Sequence, residues 1–191
     1  MFAVREQRTN EYKQLIYNIM KPQDIVVLLK IIASRDTKMS CRALAKSLGM
    51  SASSVSDSLE RCKKAQLMDR NKKHVNTMAL KEFLVHGLQY VFPAETGRIV
   101  RGVPTYISAA PIKELITNNG DSYVWHYAKG TARGQQIKPL YSSVPEAALQ
   151  DDELYQLLVI TDTIRIGRSR EKEIAVEELT KHINQYVENQ Q

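Results

Sequence analysis

The sequence predicts a mainly α protein with a small β-hairpin, and three observations carry that prediction. Apolar residues recur at three- and four-residue steps through much of the first 92 positions and again from 146 onward. Ser, Asn and Gly stand at the joins, where helices are capped or ended. The breakers are gathered elsewhere: five of the six prolines and five of the eight glycines fall between Pro93 and Pro145.

Taken in order, Tyr12, Leu15, Ile16, Ile19 and Met20 form one helical stripe, and Lys21-Pro22 interrupts it. Pro22 suits the first turn of a second helix bearing Ile25, Val26, Leu28, Leu29 and Ile32. After a polar loop, Ser40 can cap a short helix containing Leu44, Ala45 and Leu48, which Gly49 ends by taking a left-handed conformation. Ser51 can cap the next helix, with Val55, Leu59 and Cys62 inward. Met68 to Val75, around an Asn71-Lys72-Lys73 turn, reads as a small hairpin. Asn76 or Thr77 then opens a helix with Leu80, Phe83, Leu84, Leu88 and Val91 inward, closed by Pro93.

Residues 93–145 read as a loop-rich segment, yet they contain or border seven of the thirteen aromatics, so the segment is expected to pack. Two further helices follow, marked by Leu154, Leu157, Leu158, Thr161 and Ile164, and by Ile174, Val176, Leu179, Ile183 and Val187. The expected organisation is an N-terminal helix over 1–21, a unit of helices and hairpin over 22–92, the aromatic segment over 93–145 and C-terminal helices over 146–191.

Composition narrows the class. With 191 residues, 43% of them hydrophobic and 25% charged, the chain can bury a core, which excludes disorder as its main state. No stretch approaches the roughly 18 apolar residues of a membrane span, and the charged start MFAVREQRTN lacks the apolar region of a signal peptide, so a cytoplasmic protein without membrane association is expected. Cys41 and Cys62 are expected to be reduced, Cys62 as small apolar filler in preference to a redox switch. Residues 1–90 carry 16 Lys and Arg against 8 Asp and Glu, whereas 91–191 carry 11 against 13. The whole basic surplus therefore lies in the first half, which favours an anionic partner there.

Helix, short helix, tight Gly turn, second helix and basic hairpin, in that order, form the plan of a winged helix-turn-helix. Its LLKI, SCRALAKSLGMSASSVSDSLERCKKAQLMDR and NKKHV segments, within Pro22 to Asn76, resemble the DNA-reading part of MarR-like bacterial transcriptional regulators. One departure is Gln66, where the family usually has Gly before the first wing strand. On the Ser51–Lys64 helix the groove-facing candidates are Ser51, Ser53, Ser54, Asp57, Ser58 and Arg61, with Arg61 the expected guanine reader. Lys63, Lys64, Arg70, Lys72, Lys73 and His74 form a second basic group for phosphates, and Asp69 reads as a surface partner of Arg70.

Within the aromatic segment, Tyr123, Trp125, Tyr127, Lys129 and Arg133 are candidates for holding a ligand or a protein partner. Enzymatic readings find no support: Gly130 to Gly134 lacks the Lys-Ser/Thr of a phosphate loop, the four histidines have no ligand spacing, and no nucleophile stands out, so neither cofactor nor metal is expected. The first and last stripes are expected to pair two subunits, placing two reading helices about 34 Å apart on double-stranded DNA. The expectation is thus a homodimeric, sequence-specific repressor. Its rival is an interaction protein, such as an antitoxin or adaptor, with DNA binding secondary.

Overall fold

The computed structural model describes residues 19–34, 39–117 and 120–190, so the stripe at Tyr12 to Ile16 lies outside the described residues. Among them the chain is mainly helical, with one three-stranded sheet. Helix α1 (Pro22–Ser34) is buried almost all round, from Ile25 through Ala33. A helix that is apolar on every side belongs in the middle of a fold, and α1 lies against the next two helices and the two long C-terminal ones.

Helix α2 (Cys41–Leu48) begins where Ser40 Oγ accepts the Ala43 amide at 3.2 Å and ends at Gly49, whose φ of +61° is the left-handed cap the sequence predicts. Helix α3 (Ala52–Lys64) starts on Ser51, whose Oγ accepts the Ser54 amide at 3.1 Å. Past α3 the chain turns at Gln66, φ +60°, and one bridge between Met68 and Val75 closes the basic hairpin. Helix α4 (Thr77–Glu82), capped by Asn76, widens into a π-helical turn at Phe83–Gly87 and resumes as α5 (Leu88–Val91). Leu80, Leu84 and Leu88, four apart, form its buried edge.

The segment read as loop-rich is instead built around a sheet. Strand β1 (Thr96–Pro104) pairs antiparallel with β2 (Tyr123–His126) along its second half and with β3 (Ala132–Ile137) along its first. Strands β2 and β3 also meet in parallel, Tyr123 opposite Gln135, so the three close on themselves. Closure around so few strands brings the backbones close together, with Val124 of β2 fully buried beside Gly102. A Cβ on Gly102 would lie 1.9 Å from the Trp125 carbonyl oxygen, and one on Gly134 would lie 2.3 Å from that of Ser122. Glycines that look like turn residues in the sequence are therefore demanded here by close approach. A 3-10 turn (Tyr106–Ser108) and the short α6 (Ile112–Leu115) fill the gap between β1 and β2.

After α7 (Val144–Ala148), helix α8 (Asp152–Ile166) runs through the centre and α9 (Ser169–Glu188) packs along it. Asp151 caps α8 by accepting the Leu154 amide at 3.0 Å and pairs with Lys30 of α1. At its other end Asp162 accepts Trp125 Nε1 at 2.6 Å, Thr105 Oγ1 at 3.0 Å and Arg165 Nη1 at 2.7 Å. This buried carboxylate fastens the sheet to α8. The buried apolar residues other than Val124 form one cluster from Ile25 to Tyr186, shared by both halves of the chain.

Candidate nucleic-acid interface

Helix α3 is held from behind by apolar contact and by one ion pair. Val55, Leu59 and Cys62 face the core, and Asp24, fully buried in the first turn of α1, receives Arg61 in two parallel bonds, Nε to Oδ2 at 2.8 Å and Nη2 to Oδ1 at 2.6 Å. Arg61 Nη2 also donates to Ser58 Oγ at 3.0 Å. Planar guanidinium against carboxylate in this fork is the geometry that makes a buried charge tolerable.

Two expected groove residues are thereby corrected. Arg61 is 2% exposed and Ser58 fully buried, so neither reaches solvent from the reading face. The cause for Ser58 is angular: at 100° per residue it lies about 40° from Cys62, bordering the inward sector of Val55, Leu59 and Cys62. For Arg61 the cause is Asp24, a lone acid in an otherwise apolar helix, which has to be paired when that helix is buried. That acid was the available signal.

The outward surface of α3 carries Ser51, Ala52, Ser53 and Ser56 exposed, with Ser54, Asp57, Glu60 and Lys63 half-exposed and Lys64 exposed at the end. Ser56 and Glu60, and the exposed Arg42 and Lys46 of α2, are surface residues that the sequence reading does not single out. The first two follow from the same helical wheel once Val55 and Leu59 are set inward. At the N-terminus Ser51 Oγ, besides capping, contacts Ser53 Oγ at 3.0 Å and Ser54 Oγ at 2.9 Å, making a compact cluster of hydroxyls.

The hairpin brings Arg70, Lys73 and His74 to the surface beside α3. Asp69, read as the partner of Arg70, instead shapes the tip: its Oδ1 accepts the Lys73 amide at 2.7 Å and the His74 amide at 3.2 Å. Lys72 differs from its neighbours. Its backbone is left-handed, φ +57°, and its ammonium bonds Glu60 on α3, which holds that carboxyl below its ordinary range. Lys72 therefore fastens the hairpin to the helix, a correction to its assignment as a free phosphate contact. His74 Nδ1 lies 3.0 Å from Gln190 Oε1, so the end of α9 abuts the hairpin.

Elsewhere, Trp125 is 1% exposed and spent on Asp162, which removes it from the ligand candidates. Tyr123 is half-buried against Tyr106, ring centroids 5.0 Å apart, at the edge of a cavity of about 280 Å³, while Tyr127 is half-buried and Lys129 and Arg133 are exposed. Of the stripe on the last helix, Leu179 and Ile183 are buried against the chain's own core, Ile174 and Val176 are half-buried, and Val187 is exposed. Cys62 is fully buried, its Sγ 3.8 Å from the Asp24 carbonyl oxygen, and burial pushes its thiol far above the ordinary range. Among the described residues no three His, Cys, Asp or Glu side chains converge as metal ligands, and no helix is long and apolar enough to cross a membrane. Comparison with protein-family models, with curated proteins and with solved structures returns no match.

Proposed function

We propose that this chain is a sequence-specific, duplex-DNA-binding regulator of transcription that inserts α3 into the major groove, with the Met68–Val75 hairpin as the wing. The observation that carries the reading is the outward surface of α3. It is small, hydroxyl-rich and unobstructed along its first half, while the back is clamped to α1 by Asp24 and Arg61. A groove about 12 Å wide admits a helix only if its leading side chains are short and its back is held rigidly by the domain. Arg42 of the preceding helix and Arg70 and Lys73 of the hairpin are exposed cations available to phosphates.

The division of roles changes with the geometry. Ser53, Ser56 and Asp57 are the base-reading candidates, and specificity does not run through Arg61. A repressor acting as a pair of subunits remains the working form, with pairing through surface other than the inward stripe of α9.

Selection from a random duplex library, followed by binding to the enriched site across a salt series, tests this. Ser56→Ala and Asp57→Asn are expected to relax base preference at one position each, by about 1–3 kcal/mol of discrimination. Lys73→Ala and Arg42→Ala are expected to weaken every duplex alike and to lower the salt slope by about 1 each. No enrichment, together with no duplex binding at low salt, overturns the reading.

A further inference from the structure

On the sheet, Arg101 of β1 and Arg133 of β3 are directly opposite each other in antiparallel register, and both are exposed. Side chains so placed have Cβ atoms about 4.5–5.5 Å apart, and like charges there destabilise a sheet. No carboxylate among the described residues pairs with either. Lys129, in the loop after β2, is a further exposed cation, and Ile99, 65% exposed, stands on the same face as Arg101, while Arg98 alternates to the other face. The half of the chain with a net acidic composition thus concentrates positive charge on one small surface, at a cost to its own stability.

The occupant of such a surface is anionic, and two features select its class. The first is backbone: β2 pairs with β1 only at Gly102 to Pro104, and the Tyr127 amide reaches Arg101 O, so over Gly97 to Val100 the second edge of β1 has no strand along it among the described residues. An open edge beside exposed Ile99 accepts an extended polypeptide, with main-chain hydrogen bonds and an apolar contact that a sugar-phosphate chain does not provide. The second is position. Helix α9, 20 residues and so about 30 Å long, has Glu171 near its start bonded to Tyr106 beside the sheet, and Tyr186 near its end against Val75 in the hairpin. The sheet and the α3 interface therefore lie at opposite ends of one rod.

We propose that the outer face of this sheet is a docking surface for an acidic, extended segment of a partner protein, which adds along the edge of β1 and sets its carboxylates against Arg101 and Arg133. The proposal goes beyond the DNA reading and uses none of its residues.

The probe is a fluorescent peptide alternating Glu and Val, compared with a Lys-Val peptide and with a single-stranded oligonucleotide of equal charge, at low salt. The Glu-Val peptide is expected to bind and to weaken at least tenfold in Arg101→Glu and in Arg133→Glu. Each of these variants places opposite charges across the strands, so its thermal midpoint is expected to hold or rise, which separates lost docking from lost folding. Enriched-duplex affinity is expected to be unchanged in both, so that failure here and failure of the DNA reading are read independently. The proposal is overturned if the Glu-Val peptide does not bind, if the charge reversals leave its binding intact, or if the oligonucleotide binds more tightly and is the ligand the reversals release.

Discussion

Asp24 and Arg61 are each nearly inaccessible to water, and each makes the other's burial tolerable. Removing either leaves a charge in the core without a partner, so Arg61→Ala and Asp24→Ala are each expected to cost about 3–5 kcal/mol in urea unfolding. Exchanging both for apolar residues of similar size is expected to restore much of that loss. A DNA-specific role for Arg61 would instead show as altered base preference at unchanged stability. Gln66 makes the opposite case. It holds φ +60°, a conformation that costs an L-residue roughly 1–2 kcal/mol, and its side chain is exposed. Gln66→Gly is therefore expected to raise stability by about 1 kcal/mol, while Asn76 Nδ2 keeps its 3.1 Å bond to the carbonyl of residue 66. At Cys62, burial disfavours the thiolate that any thiol reagent needs. A disulfide reagent is expected to titrate only Cys41 quickly in the native protein and both thiols in denaturant. Fast native reaction of Cys62 would reinstate the switch reading.

At the scale of elements, the small sheet is the least forgiving part. Gly102→Ala would set a methyl on the Trp125 carbonyl, and Gly134→Ala one on that of Ser122. Both are expected to unfold the sheet, seen as an early loss of the near-ultraviolet signal of Trp125, the only tryptophan in the chain. The contrast with the helices explains what the sequence made legible. Caps at Ser40, Ser51 and Asn76 and the Gly49 stop are local chemistry, written within four residues of where they act, and each is where the sequence places it. The strands depend on contacts between residues 96 and 137, so their glycines and prolines read locally as breakers. The candidate interface shows the same division. Its helix and its inward side follow from periodicity, but the fate of Arg61 turns on an acid 37 residues earlier.

For the whole molecule, Asp151 and Glu60 are carboxyls held below their ordinary values, and both contribute to the acid limit. Asp151 is raised by burial but lowered further by the Lys30 ammonium and the Leu154 amide, and Glu60 is lowered chiefly by Lys72. A carboxyl depressed on folding contributes stability above its unfolded value, here 3.8 for Asp151 and 4.5 for Glu60, and that contribution is lost as pH falls through the depressed value. Stability is thus expected to decline below about pH 4.5, and Lys30→Met is expected to flatten the Asp151 part of the decline. Thermal melts between neutral pH and pH 3 check this.

Helix α9 touches the hairpin through Tyr186 and Gln190 at one end and Tyr106 through Glu171 at the other. Between those stations Ala175, Leu179 and Ile183 seat the same helix in the core, so the hairpin and the turn beside the sheet are both moored to a single buried spar.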